Sequence, residues 1–144
     1  MPEKKIPLLD RKKGLYLHHV KGAGRGVFCT QAIKAGEVLE RTPAIILDPP
    51  DTERIGKTLL ERYVFSVGKL PKAMGVKNSE DVSCVVMGIA SFCNHSDERP
   101  NAQVVWEQKG GTLYYILEAT RDIPKGTEIC TSYGPGWFED HHPA

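Results

Sequence analysis

The glycine-rich run Gly22-Ala23-Gly24-Arg25-Gly26 falls between two strand-like stretches, and its placement constrains the fold more than any other feature of this chain. In a doubly wound nucleotide fold such a run joins a first strand to a helix, and an acidic residue about twenty positions on takes the ribose. Here Leu15-Tyr16-Leu17-His18-His19-Val20 precedes it and Gly26-Val27-Phe28-Cys29-Thr30 follows, both with the β-branched and aromatic character of strands. No alternation of strands and helices appears later, so a mainly β architecture with short helices is expected.

The same punctuation continues along the chain. Ile33-Lys34-Ala35-Gly36-Glu37 reads as a tight turn, and Ala44-Ile45-Ile46-Leu47, closed by Pro49-Pro50, as a short buried strand. The spacing of Ile55, Leu59, Leu60, Tyr63, Val64 and Val67, with Asp51 or Thr52 as a cap, predicts one helix over residues 51–67. A second, short helix is expected within residues 82–92. Strands are expected over 102–107 and 112–119, joined by a hairpin turn at Gln108-Lys109-Gly110-Gly111, and over 128–133. Residues 31–39 and 120–129 share an Ile-x-x-Gly corner, which predicts two similar turns.

Composition excludes several classes. Nineteen Lys and Arg against eighteen Asp and Glu leave a formal charge of +1, so no bulk charge argues for direct nucleic-acid binding. No apolar run reaches the roughly 18 residues of a membrane span, and the start lacks the apolar stretch of a secretory signal. A cytoplasmic protein with no membrane partner is therefore expected. Cys29, Cys84, Cys93 and Cys130 form no Cys-x-x-Cys pair and have no histidine at zinc spacing, which predicts reduced, mostly buried thiols and no metal.

Three segments are candidates for chemistry. The glycine run is either a plain hairpin turn or a place where exposed amides hold a carboxylate or phosphate. Asn94-His95-Ser96 puts three polar residues where the apolar run Ile89-Ala90-Ser91-Phe92-Cys93 would otherwise continue, and buried polar groups need partners. Glu128-Ile129-Cys130-Thr131-Ser132-Tyr133-Gly134 ends on a tyrosine whose hydroxyl, with a pKa near 10, is a poor base at neutral pH and so has a positional use.

In this order, from about Gly14 to Trp137, the three segments resemble the SET domain, the S-adenosylmethionine-dependent protein lysine methyltransferase fold, and most closely its minimal viral and bacterial members. The resemblance implies several small sheets in a β-clip-like arrangement, with a pseudoknot-like threading of the C-terminal segment. It implies an N-terminal extension over residues 1–13, the domain over 14–138 and a tail over 139–144. It assigns cofactor contacts to Gly24, Arg25, Gly26, Asn94, His95, Tyr133 and Trp137, and the catalytic position to Tyr133. Tyr63 stands in a context similar to that of a tyrosine lining the lysine channel. For Tyr63 and Trp137, burial in the core is an equal alternative. The implied partner is a protein presenting a lysine, histone or otherwise, and a homodimer is plausible because minimal members sometimes pair to complete the substrate groove. Two other readings remain: a non-catalytic binding module on the same fold, and a small all-β phosphate-binding protein. The last lacks the Lys-Ser/Thr follow-up such sites carry.

Overall fold

The computed structural model describes residues 10–68 and 82–131. Among them run ten strands: β1 (Asp10–Arg11), β2 (Leu15–Val20), β3 (Gly24–Cys29), β4 (Val38–Leu47), β5 (Val64–Gly68), β6 (Val82–Val86), β7 (Asn94–His95), β8 (Ala102–Lys109), β9 (Thr112–Ala119) and β10 (Glu128–Thr131). They form a continuous path in the order β2-β3-β10-β8-β9-β4-β6-β5, with β1 against β4 and β7 against β10. No described helix is long and apolar enough to cross a membrane.

The β8–β9 hairpin forms where the glycine pair predicts it. Gly110 and Gly111 both have positive φ, 59° and 78°, the backbone that a two-residue turn needs to match strand twist. β9 then lies between β8 and β4, and Leu113 through Leu117 are all buried, as in a strand covered on both faces. Tyr115, Leu117, Leu39, Val27 and Ile129 are the fully buried centre of the core.

The two Ile-x-x-Gly corners are paired around a local two-fold. Ile33 and Ile123 exchange both backbone hydrogen bonds, at 2.8 and 2.7 Å. The Gly36 amide donates to the carbonyl of Ala119 and the Gly126 amide to that of Cys29, each at 2.8 Å. The repeated sequence thus makes two similar turns that close on each other and tie the start of the domain to its last strand.

The helix expected over 51–67 is shorter and ends in a strand. Helix α1 covers Pro49–Ile55, capped by the Asp48 carboxylate, which accepts from the Asp51 amide at 2.9 Å. The proline pair therefore starts the helix, where a missing N–H costs nothing. After Gly56, Thr58 turns its hydroxyl onto the Leu60 amide at 3.2 Å and opens a 3-10 turn, Leu59–Tyr63. Leu59 and Leu60 are 72% and 53% exposed, so the apolar spacing that suggested a buried helical face serves no core. Val64 and Phe65, β-branched and aromatic, pair with β6 instead. Likewise residues 82–92 hold strand β6, with alternating burial, and then a 3-10 turn over Ile89–Phe92 in place of the expected helix.

All four cysteines are free, with Cys29 and Cys84 buried. Burial pushes the Cys84 thiol from its ordinary value of 9.0 up to about 12. The unfolded chain releases this proton first, so the stability it carries is complete below pH 9 and is lost as pH rises towards 12. Denaturant titration should show up to about 4 kcal/mol of alkaline loss from this group. Cys84→Ala should flatten that limb, and an unchanged limb would contradict a dry thiol.

Candidate functional site

Strand β10 brings the three segments together. On one side it pairs antiparallel with β3, Ile129 opposite Val27, and on the other parallel with β7, Cys130 opposite Asn94 and Thr131 opposite His95. The loop from Ser96 to Asn101 brackets it: the Ser96 amide donates to the Thr131 carbonyl and the Asn101 amide to that of Cys130, both at 3.0 Å. This is the threading that the resemblance implies. Asn101, 6% exposed, acts as a substitute strand, accepting from the Cys130 amide at 2.9 Å and donating to the Glu128 carbonyl at 2.8 Å. Asp97, Glu98 and Arg99 within the loop are exposed.

A cleft of about 800 Å³ opens over this junction. Gly24 and Arg25 line one wall, Phe92 through His95 another, Tyr63 through Ser66 a third, and Val104 and Trp106 of β8 the floor. Gly24 takes φ +82° and a Cβ there would meet nothing within 4 Å, so the turn faces open space. Gly26 differs: a Cβ there would collide with Glu128 Oε2 and lie 3.0 Å from Asn94 Nδ2. The absence of a side chain lets β3 close onto that pair.

Asn94 is held from two sides. Its Nδ2 donates to the Glu128 carboxylate at 2.6 Å and to the Arg25 carbonyl at 3.0 Å. Both partners are acceptors, so both amide hydrogens are used, and Oδ1 is the atom left to accept from a ligand. Arg25 lies 4.5 Å over the Phe92 ring and donates to the Tyr63 hydroxyl at 3.4 Å, while Tyr63 meets Phe92 edge-on at 6.0 Å. His95 contributes backbone to β7, and its Nε2 lies 2.6 Å from Asp97 Oδ1. Deeper in, Phe65 and Trp106 both stand edge-on to Tyr115, at 5.0 and 5.1 Å.

The thiols here are inert at neutral pH. Burial, reinforced by the charge of Glu128 and a hydrogen bond to it, pushes Cys130 up to about 11. Burial first, then the charges of Glu40, Cys130 and Glu128, pushes Cys93 higher still. Neither is a nucleophile under these conditions.

Of the residues expected from sequence, Gly24, Arg25, Asn94, His95 and Tyr63 line the one cleft, and Gly26 packs beneath it. Tyr133 and Trp137 lie outside the described residues. Glu128, Phe92, Asn101 and Trp106 carry parts of the site that the sequence reading assigned no role. For Glu128 a signal was present: a carboxylate opening an apolar strand, next to Ile129 and Cys130. Among the described residues no group of three or more His, Cys, Asp or Glu could hold a metal.

The SET domain family model matches residues 24–134. A Schizosaccharomyces pombe histone-lysine N-methyltransferase, H3 lysine-37 specific, is 29% identical over 138 residues, 94% of this chain and 83% of that protein. A candidate histone methyltransferase of Plasmodium falciparum has a crystal structure that superposes with a TM-score of 0.65 at 26% identity, covering 88% of this chain and 98% of that one. The Neurospora SET domain protein DIM-5, a histone lysine methyltransferase, gives a TM-score of 0.66 at 23% identity, over 86% of this chain and 53% of its own, a likeness of fold.

Proposed function

Because the chain belongs to the SET-domain family and is a protein-lysine methyltransferase, we propose that its cleft holds S-adenosylmethionine and that Tyr133 aligns the acceptor lysine. The observation that carries this reading is the meeting of the Gly24–Gly26 turn and Asn94 on one strand through Glu128.

The residues present fit the cofactor. A volume of about 800 Å³ suits a ligand of that size. Arg25 and Arg62 are among the lining residues, and a guanidinium suits a carboxylate, while Asn94 Oδ1 suits an ammonium or amino donor. When bound, the cofactor supplies a methyl group on a sulfonium, an electrophile that needs no metal. What remains for the protein is alignment, which in well-ordered systems is worth effective molarities of about 10⁵ M or more.

The acceptor must arrive uncharged, although a free lysine has a pKa near 10.4. Tyr63, Phe65 and Trp106 make an apolar wall. Aromatic faces attract a cation by about 0.5–2 kcal/mol, whereas burial lowers a lysine pKa by up to about 3–5 units, equivalent to more than 4 kcal/mol. Desolvation wins, and the neutral amine is favoured. A protein substrate presenting a lysine is supported by the family, and histone H3, on which the fission-yeast relative acts, is the first to try.

Calorimetry tests the cofactor site. Asn94→Ala takes the amide donor from Glu128 and removes Oδ1, and should weaken S-adenosylmethionine binding by about 1–3 kcal/mol, or 5- to 150-fold. Parental affinity in the folded variant would remove Asn94 from the site.

A further inference from the structure

Glu40 in β4 is 1% exposed, the one buried charged side chain among the described residues. No cation meets it. Its two carboxylate oxygens accept instead from the backbone amides of Ile89 and Ala90, both at 2.9 Å. Those are the first residues of the 3-10 turn Ile89–Phe92, whose own preceding residue, Gly88, has no side chain to cap it. The cap that serine or aspartate commonly supplies locally comes here from 49 positions away.

Gly88 makes room for it. Its φ of −155° is ordinary extended backbone, so conformational freedom does not explain the glycine. Space does: a Cβ would lie 2.5, 2.7 and 2.8 Å from Glu40 Oε1, Cδ and Oε2. A four-residue 3-10 turn has too few internal bonds to hold its own position. What the turn delivers is the cleft wall: Phe92 under Arg25, then Cys93, then Asn94 with its bonds to Glu128 and the Arg25 carbonyl.

We propose that Glu40 is a positioning residue for cofactor binding, acting through the Ile89–Phe92 turn to set Phe92 and Asn94, with Gly88 reserving its seat. This rests on reading the cleft as the S-adenosylmethionine site. Two substitutions break the same contact in different ways. Glu40→Gln keeps the shape but offers one acceptor to two amides and turns an NH₂ on the other. Gly88→Ala leaves the carboxylate intact and displaces it.

Each variant of the full chain is titrated calorimetrically with S-adenosylmethionine, beside thermal unfolding and a labelled-methyl assay. Each should lose about tenfold or more in affinity, as expected when a buried, charge-assisted bond is broken. The loss should appear in KM for the cofactor, with turnover at saturating cofactor largely kept. The double variant should lose little more than the worse single one, because both remove one interaction. Parental affinity in folded single variants, or additive losses in the double, would overturn the proposal while leaving the cofactor site in place. Failure of the parent to bind S-adenosylmethionine would overturn the functional reading itself, and the proposal with it. If the variants do not fold, amide exchange in the cofactor-free parent decides: Ile89 and Ala90 should exchange slowly, and exchange at free-loop rates would overturn the proposal.

Discussion

Tyr133→Phe is expected to lower methyl transfer by about 100-fold or more while leaving S-adenosylmethionine affinity close to that of the parent, since misplacing a reacting group carries a penalty of that order. The assignment comes from family membership and from the position of Tyr133 two residues beyond Thr131, the last described residue of β10. An interaction that acts on alignment is stronger in the transition state than in the ground state, so kcat should fall with kcat/KM and binding should persist. Turnover of the parent should rise with pH over the range in which the bound lysine loses its proton, below about 10.4 on the proposal that Tyr63, Phe65 and Trp106 wall its channel. A Phe variant with parental turnover would remove Tyr133 from the chemistry. A chemical step independent of pH would remove the deprotonation argument and leave the tyrosine in place.

Gly26→Ala carries the second large effect. The added methyl collides with the Glu128 carboxylate and crowds Asn94 Nδ2, so Glu128 has to shift and the 2.6 Å bond between them is expected to weaken or break. Breaking a charge-assisted hydrogen bond of this kind costs about 1.5–3 kcal/mol, and cofactor affinity should fall about 10- to 150-fold. Gly22→Ala, outside the cleft lining, is the control. It meets open space, and its penalty comes from the positive φ, about 1–2 kcal/mol of backbone strain felt in stability. If both variants lower affinity equally, the Glu128–Asn94 pair is not what Gly26 protects.

The strands and their glycine corners were legible because their causes are local. β2, β3, β8 and β9 follow short β-branched and aromatic runs, and the Gly110-Gly111 turn needs only its own two residues. The segment 51–67 was misread because apolar spacing records where greasy side chains fall, not whether a core lies beneath them. Leu59 and Leu60 face solvent, and Gly56 with Thr58 breaks the helix before its predicted face is complete. Within the site, Gly24, Asn94 and Tyr63 were legible through motif order. Glu40 and Asn101 were not, because their work depends on partners brought up by the fold, 49 and 27 positions away. A buried carboxylate looks the same in sequence as an exposed one.

Transfer of labelled methyl from S-adenosylmethionine is the most direct test of the central claim. The parent protein, incubated with a mixed protein extract and with histone H3, should place label on lysine side chains, located by mass spectrometry, and Tyr133→Phe should place almost none. Label on no protein, from a parent shown by calorimetry to bind the cofactor, would contradict a lysine methyltransferase and favour a SET-fold binding module.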